Sequence, residues 1–240
     1  MKINIKRYSI EFGQKEIQYD IKNENLLKAL IEIRNEIDSS LTFRCGCKSG
    51  VCGSCAVRVN GKEVLACKTN IKEFDLIEPI RNVDVIKDLV VDVSRGTNLI
   101  KDIKSFIEVK SNEQITQSDV EKVDLQSNCI LCSSCYSACP LYEVNKDFVG
   151  PYILTRAFRY INDKKNSSNL DILNSVQTNG IWDCTLCGLC TFACPQGIDP
   201  KSDIQQLQNI SVQNGFENQK LASFSMDFND DFGGFNPNGF

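Results

Sequence analysis

The 240-residue chain contains no histidine. That absence removes Rieske centres, zinc fingers of the mixed cysteine/histidine kind, histidine-ligated haem and every mechanism that needs an imidazole base. Long apolar runs are missing too: no stretch approaches the eighteen or so residues that a membrane-spanning helix requires. The N-terminal segment MKINIKRYSIEFGQKEIQYD alternates like a strand and has no apolar signal-peptide core, so the chain is expected to be made and kept in the cytoplasm. Positive charge is not in excess either. Lys and Arg number 27 against 31 Asp and Glu, a net charge of −4, which argues against nucleic acid as a partner because phosphate binding needs a basic face.

What the chain has in quantity is cysteine, thirteen in all, with 42% hydrophobic residues to build a core. A disulfide framework suits a short exported domain, and this sequence reads as neither short nor exported. Clustered thiols without histidine point to zinc in all-cysteine sites or to iron–sulfur clusters.

The pattern along the chain divides near residue 97. Residues 2 to 8 and 16 to 21 alternate as two strands around a turn at Phe12-Gly13. Leu26, Leu30, Ile33 and Ile37 recur at helical spacing, with Asn23 or Asn25 available as the N-cap. A cysteine-rich loop occupies 44 to 55. A hairpin follows, with arms at 56 to 59 and 63 to 66 and an Asn60-Gly61 turn, and residues 74 to 80 read as a last strand. Beyond 97 the periodicity becomes helical. A linker helix is expected over 99 to 109, a polar stretch over 110 to 126, an amphipathic helix through Ile153, Leu154, Ala157, Phe158 and Ile161, and a polar loop over 162 to 169. A last helix opens at Asp199-Pro200, with Asp as cap and Pro in the first turn. The expected fold class is α+β: a plant-type, β-grasp-like ferredoxin domain over 1–97 and an all-helical two-cluster bacterial-ferredoxin-like domain over 98–225. A mobile tail rich in Phe, Asn and Gly is expected over 226–240.

Three cysteine motifs carry the chemistry. In FRCGCKSGVCGSC, Cys47, Cys52 and Cys55 give C-x4-C-x2-C, with Cys67 after the hairpin. This is the plant-type spacing for a 2Fe–2S cluster, and Gly46, Gly50 and Gly53 let backbone amides approach the sulfurs. Zinc is the competing reading, although structural zinc usually joins two separated C-x2-C knuckles. The second motif is Cys129, Cys132, Cys135 and Cys139 before Pro140, and the third is Cys184, Cys187, Cys190 and Cys194 before Pro195. Each reads C-x2-C-x2-C-x3-C-P, the two-cluster run in which the fourth cysteine ligates the other cluster. Cys129, Cys132 and Cys135 are therefore expected to share a 4Fe–4S cluster with Cys194. Cys184, Cys187 and Cys190 are expected to share a second with Cys139. Three centres of four thiolates use twelve cysteines and leave Cys45 as a spare thiol.

A plant-type domain followed by a two-cluster domain resembles the iron–sulfur subunit of the succinate dehydrogenase/fumarate reductase family. LTFRCGCKSGVCGSC, LACKT, VIKDLVVD at 85 to 92 and GPYILTRAFRY share in the likeness. The resemblance implies a carrier that passes electrons one at a time between an FAD-containing flavoprotein subunit, where succinate and fumarate react, and a membrane anchor that handles a quinone. The 2Fe–2S centre would lie nearest the flavin and the last centre nearest the quinone. The protein would sit peripherally on the cytoplasmic side of the inner membrane, held by its partners, and would do no substrate chemistry alone. Two departures stand out. Most members lack a cysteine at the position of Cys187 and hold a 3Fe–4S cluster there, so the complete motif predicts a third centre of the 4Fe–4S type, or 3Fe–4S if Cys187 is not a ligand. The quinone-site tryptophan and histidine of quinone-reducing succinate dehydrogenases are replaced by the Leu141-Tyr142-Glu143-Val144 stretch and by Thr185, the latter closer to the fumarate reductase branch. A related wire serving a thiol/disulfide-linked fumarate reductase or heterodisulfide-type complex, and a free multi-cluster ferredoxin, are the alternatives.

Overall fold

Alternating apolar side chains put Ile3 and Ile5 on the inner face of the first strand, β1 (Lys2–Ser9), which pairs antiparallel along its whole length with β2 (Gly13–Asp20). These elements belong to a computed structural model that describes residues 1–218; the expected tail over 226–240, and the end of the expected helical domain, lie outside the described residues. Helix α1 (Leu26–Glu32) is capped by the Asn25 side chain, which accepts from Lys28 N–H at 3.2 Å, and it lays Leu26, Leu27 and Leu30 over the sheet. The helix ends in one wider turn over Ile33–Ile37.

The Asn-Gly turn forms as expected, with Asn60 and Gly61 at φ 48° and 81°, and joins β3 (Ala56–Val59) to β4 (Lys62–Leu65). The last strand is shorter than the apolar run suggests: β5 covers only Leu76–Glu78, because Phe74 turns out to solvent at φ 65°. In the sheet order β2-β1-β5-β3-β4, β5 lies parallel to β1 and antiparallel to β3, an arrangement of β-grasp type. A small hairpin, β6 (Val85–Lys87) and β7 (Val90–Val91), closes this half.

That hairpin is fixed by a buried ion pair. Arg7 Nε and Nη2 donate to the two carboxylate oxygens of Asp88 at 2.8 and 3.0 Å, and Asp88 also accepts from the amides of Tyr8 and Thr42. Both charges are fully enclosed, so the pair survives only because nearly every lone pair and proton is matched.

Among the described residues, no strand follows Val91. The linker helix begins and ends earlier than its apolar spacing predicts. Helix α2 spans Ser94–Asp102; Lys104 then adopts φ 50° and Ser105 turns inward, where its carbonyl accepts from Arg156. The polar stretch contains α3 (Gln117–Glu121), opened by a reciprocal Thr116/Asp119 capping box, and α4 (Asp124–Ser127). Next come α5 (Ser134–Ser137), α6 (Pro140–Val144), α7 (Pro151–Ile161), α8 (Asn169–Ser175), α9 (Leu189–Phe192) and α10 (Pro200–Gln213). The amphipathic helix is α7, which buries Ile153, Leu154, Ala157 and Phe158 against Ile204 and Leu207 of α10. Asp199 caps α10 as its sequence indicates, accepting from Ser202 N–H at 3.1 Å.

Buried apolar side chains form two cores. One gathers residues from Ile3 to Val91 around the sheet and α1; the other gathers residues from Ile103 to Leu207 around α7 and α10. Each fully enclosed Ile, Leu or Phe contributes about 1.5–3 kcal/mol of transfer free energy. The cores meet at the cysteine motifs: Ile130 and Cys132 pack on the first, Cys135 and Cys139 belong to the second.

Candidate metal centres

The first motif is a loop whose backbone turns its amides inward. Lys48, Gly50 and Gly53 have φ values of 58°, 84° and 70°. Ser49 and Val51 N–H groups both donate to Cys47 Sγ at 3.4 Å, and Cys47 N–H donates to Cys52 Sγ at 3.4 Å. Those contacts, with the Ser49 side chain foremost, bring the Cys47 thiol down to about 5. Cys55 sits at the base of the loop, where burial pushes its thiol up to about 11. The Ala66 N–H bond to the Cys55 carbonyl, at 3.0 Å, sets Cys67 beside it in the short helical turn after β4. Gly46 lies so close that a Cβ there would stand 3.1 Å from Cys52 Sγ. Cys45 is exposed.

The second and third motifs are built alike. Leu131 and Ser133 in one, and Leu186 and Gly188 in the other, take left-handed conformations at matching positions, and each motif then enters a one-turn helix, α5 or α9. Their cysteines interleave. Cys129, Cys132, Cys135 and Cys194 line a small gap, with Tyr152 and Thr155 at its wall. Cys139, Cys184, Cys187 and Cys190 line another, beside Phe148 and Ile204. Each gap takes three thiols from one motif and one from the other. Cys187 reaches the second of these gaps while keeping an exposed face.

These thiols stand where bare thiolates would be unstable. Burial pushes Cys129 up to about 11 and Cys190 up to about 12, and burial beside Cys132, Cys129, Cys190 and Cys194 drives Cys135 well above the ordinary thiol range. Only cations placed in the gaps would make the ionised forms favourable, so folding and metal uptake are coupled. Among the described residues, no three Cys, Asp or Glu groups converge tightly enough to chelate a single metal ion. Thiols spaced around a volume suit a polynuclear cluster, and zinc with its ~2.3 Å bonds to sulfur does not fit them. Local donors then orient the sulfurs: Tyr142 N–H reaches Cys139 Sγ at 3.5 Å and Leu186 N–H reaches Cys184 Sγ at 3.4 Å.

The sites adjoin in pairs. The first loop packs on Cys132, at the second gap, and Cys135 lies within electrostatic reach of Cys190, at the third. Sequence reasoning located the cysteines. It gave no role to Tyr152 and Thr155, which lie within GPYILTRAFRY, or to Gln196, and all three line the gap of the second motif.

A β-grasp sheet carrying one four-cysteine loop, joined to a helical unit with two interleaved cysteine sets, defines a multi-cluster ferredoxin-type protein. A model of the 2Fe-2S iron-sulfur cluster binding domain matches residues 2–98, and a model of the 4Fe-4S dicluster domain matches residues 126–198. The fumarate reductase iron-sulfur subunit of Haemophilus influenzae is 34% identical over 236 residues, covering 86% of this chain and 91% of that protein. The subunit of the same name from Mycobacterium tuberculosis is 35% identical over 194 residues, covering 75% and 78%. A chain of the Mycobacterium smegmatis Sdh1 complex in the apo form superimposes with a TM-score of 0.79 at 21% identity, over 90% of this chain and 97% of that one. The chain belongs to the family of succinate dehydrogenase/fumarate reductase iron–sulfur subunits. Its cofactors are accordingly 2Fe–2S and 4Fe–4S clusters.

Proposed function

We propose that this chain carries electrons one at a time between an FAD-containing flavoprotein subunit and a quinone-reactive membrane anchor, with no substrate chemistry of its own. The observation that carries the reading is the three cysteine sets of four thiols, the loop of the first packed on Cys132 of the second and Cys135 of the second within electrostatic reach of Cys190 of the third. When bound, iron–sulfur clusters supply reversible one-electron redox chemistry at potentials set by their surroundings. The chain's own residues hold, orient and shield them. Cys47, Cys52, Cys55 and Cys67 would ligate the 2Fe–2S cluster. Cys129, Cys132, Cys135 and Cys194 would ligate the 4Fe–4S cluster in the middle, and Cys139, Cys184, Cys187 and Cys190 a third cluster of the same type. Cys187 is among the residues lining its gap, at the motif position that Cys132 holds in the other, and this supports four irons over three. The two separate cores support a division near residue 97.

Exposed apolar residues near the cysteines of the third set offer a surface suited to the anchor. Val144, Phe192 and Leu189, which flank its cysteines, are 82%, 87% and 46% exposed. No helix of the described residues is long and apolar enough to cross a membrane, so attachment to the cytoplasmic face would be through partner subunits. Iron analysis tests the cluster set: full occupancy gives about ten irons per chain. The oxidised protein should lack a three-iron EPR signal; a full three-iron signal with nine irons would overturn the assignment of Cys187. Co-purification of a flavoprotein and a quinone-binding anchor supports the partners, and a cysteine-rich, non-quinone partner refutes them.

A further inference from the structure

We infer that Gly53 and Gln196 are positioning residues that fix the spacing between the first and second metal centres. The inference rests on the ligand sets proposed above. Gly53 lies between Cys52 and Cys55, and its backbone sits directly on the second motif. A Cβ built on it would fall 2.8 Å from the Ile130 carbonyl oxygen, 2.9 Å from Cys132 Cβ and 3.0 Å from Cys132 Cα. Its φ of 70° independently disfavours any side chain. Gln196, two residues beyond Cys194, provides a second fixed point: its Nε2 donates to the Gly50 carbonyl at 2.9 Å. Gly50 lies between Cys47 and Cys52, so the loop of the first centre is held by both segments that supply the second centre, 130–132 and 194–196.

An open cleft explains why such seating is needed. A solvent-open space runs between the two halves, bordered by Arg44, Ile80, Val91 and Tyr152 as well as Cys52 and Cys132. The Gly53–Cys132 contact crosses this cleft as closely packed atoms. Electron tunnelling decays exponentially with distance and passes better through packed matter than through a gap. A contact that brings two ligand-bearing backbones together therefore governs the rate between the centres. The halves are also joined elsewhere, by Ser137 Oγ donating to Glu63 at 2.8 Å and by Arg81 N–H donating to Ser137 Oγ at 2.8 Å. Loosening the loop should thus change the spacing without separating the halves.

The test uses the full chain with its clusters in place. Microwave power saturation of the reduced 2Fe–2S EPR signal, with the second centre oxidised and then reduced, reads the magnetic interaction between the two. Gln196→Ala should weaken that interaction, Gly53→Ala should weaken it severalfold, and Gln196→Lys, which keeps a donor of similar reach, should restore it. Iron content and the separate cluster spectra should be unchanged. Unchanged saturation in a fully loaded Gln196→Ala protein would overturn the inference, and that variant decides the matter alone if Gly53→Ala fails to take up iron. Cys132→Ser, measured alongside, separates the two readings: if it leaves the second centre's spectrum unaltered the ligand set is wrong, and if it alters the spectrum while Gln196→Ala does nothing, only the positioning role is lost.

Discussion

Asp203 offers a sharp test of the packing in the helical half. It lies on α10, 2% exposed, with Gln126 Nε2 donating to one carboxylate oxygen at 2.8 Å and Thr155 Oγ1 donating to the other at 2.9 Å. Burial pushes its pKa from 3.8 to about 6; the two donors only partly offset this, and the nearby Asp199 adds to it. Between these values the folded chain binds more protons than the unfolded one, so stability falls as pH rises through the window. At 1.36 kcal/mol per pH unit the full effect is about 3 kcal/mol, of which roughly 1.4 kcal/mol falls between pH 5 and pH 8. Asp203→Asn removes the charge, and Thr155 can rotate to accept from the new amide. The variant should therefore match or exceed the wild type in stability at pH 8 and lose that advantage by pH 5. Because cluster loss makes unfolding irreversible, the quantity to follow is the rate of bleaching of the visible cluster absorption in urea. The ratio of wild-type to variant rates should change by up to about tenfold across this range, with a midpoint near pH 6. A ratio that stays flat from pH 5 to pH 8 would show that Asp203 is not held as a perturbed buried acid.

Other outcomes follow from the same geometry. Cys187→Ser should generate a three-iron EPR signal and lower the iron content by about one atom per chain, leaving the 2Fe–2S spectrum intact. Asp88→Ala should remove one of the two carboxylates that pair with the enclosed Arg7 guanidinium, leaving Asp38, and cost up to about 3–5 kcal/mol, read as a lower urea midpoint. Phe148→Ala, at a fully buried site beside the third gap, should cost about 3–5 kcal/mol through the cavity it leaves. Chelation of iron should remove more helical than sheet signal in circular dichroism, because the helical half is pinned at two cysteine-lined gaps and the sheet rests on its own core.

Features set by spacing were readable before any coordinates. The cysteine runs, the Asn60-Gly61 turn, the helix through Ile153 and Phe158 and the Asp199 cap all appear where their local patterns place them. The Thr116/Asp119 capping box was also present in the sequence, hidden within a stretch that composition marks only as polar. The linker helix was misplaced because Leu99 and Ile103 continue an apolar rhythm that the backbone breaks at Lys104. Long-range pairings left no trace. Nothing local to Arg7 points to Asp88, and nothing local to Gln196 points to Gly50. Such contacts join residues far apart in the chain, and only the fold reveals them.

The interleaving of the last two cysteine sets also dictates an order of biogenesis. The first loop is complete once Cys67 has been synthesised, and its sheet closes soon after with β5. The second motif, although it emerges next, cannot close its gap until Cys194 exists, near the far end of the chain. With the ligand sets proposed above, the growing chain would offer one complete thiol set early, and the two remaining sets would be completed late and almost together. A ribosome stalled between the two motifs would leave buried-type thiols waiting in solution, open to oxidation, which makes prompt completion of translation part of the protection of these centres.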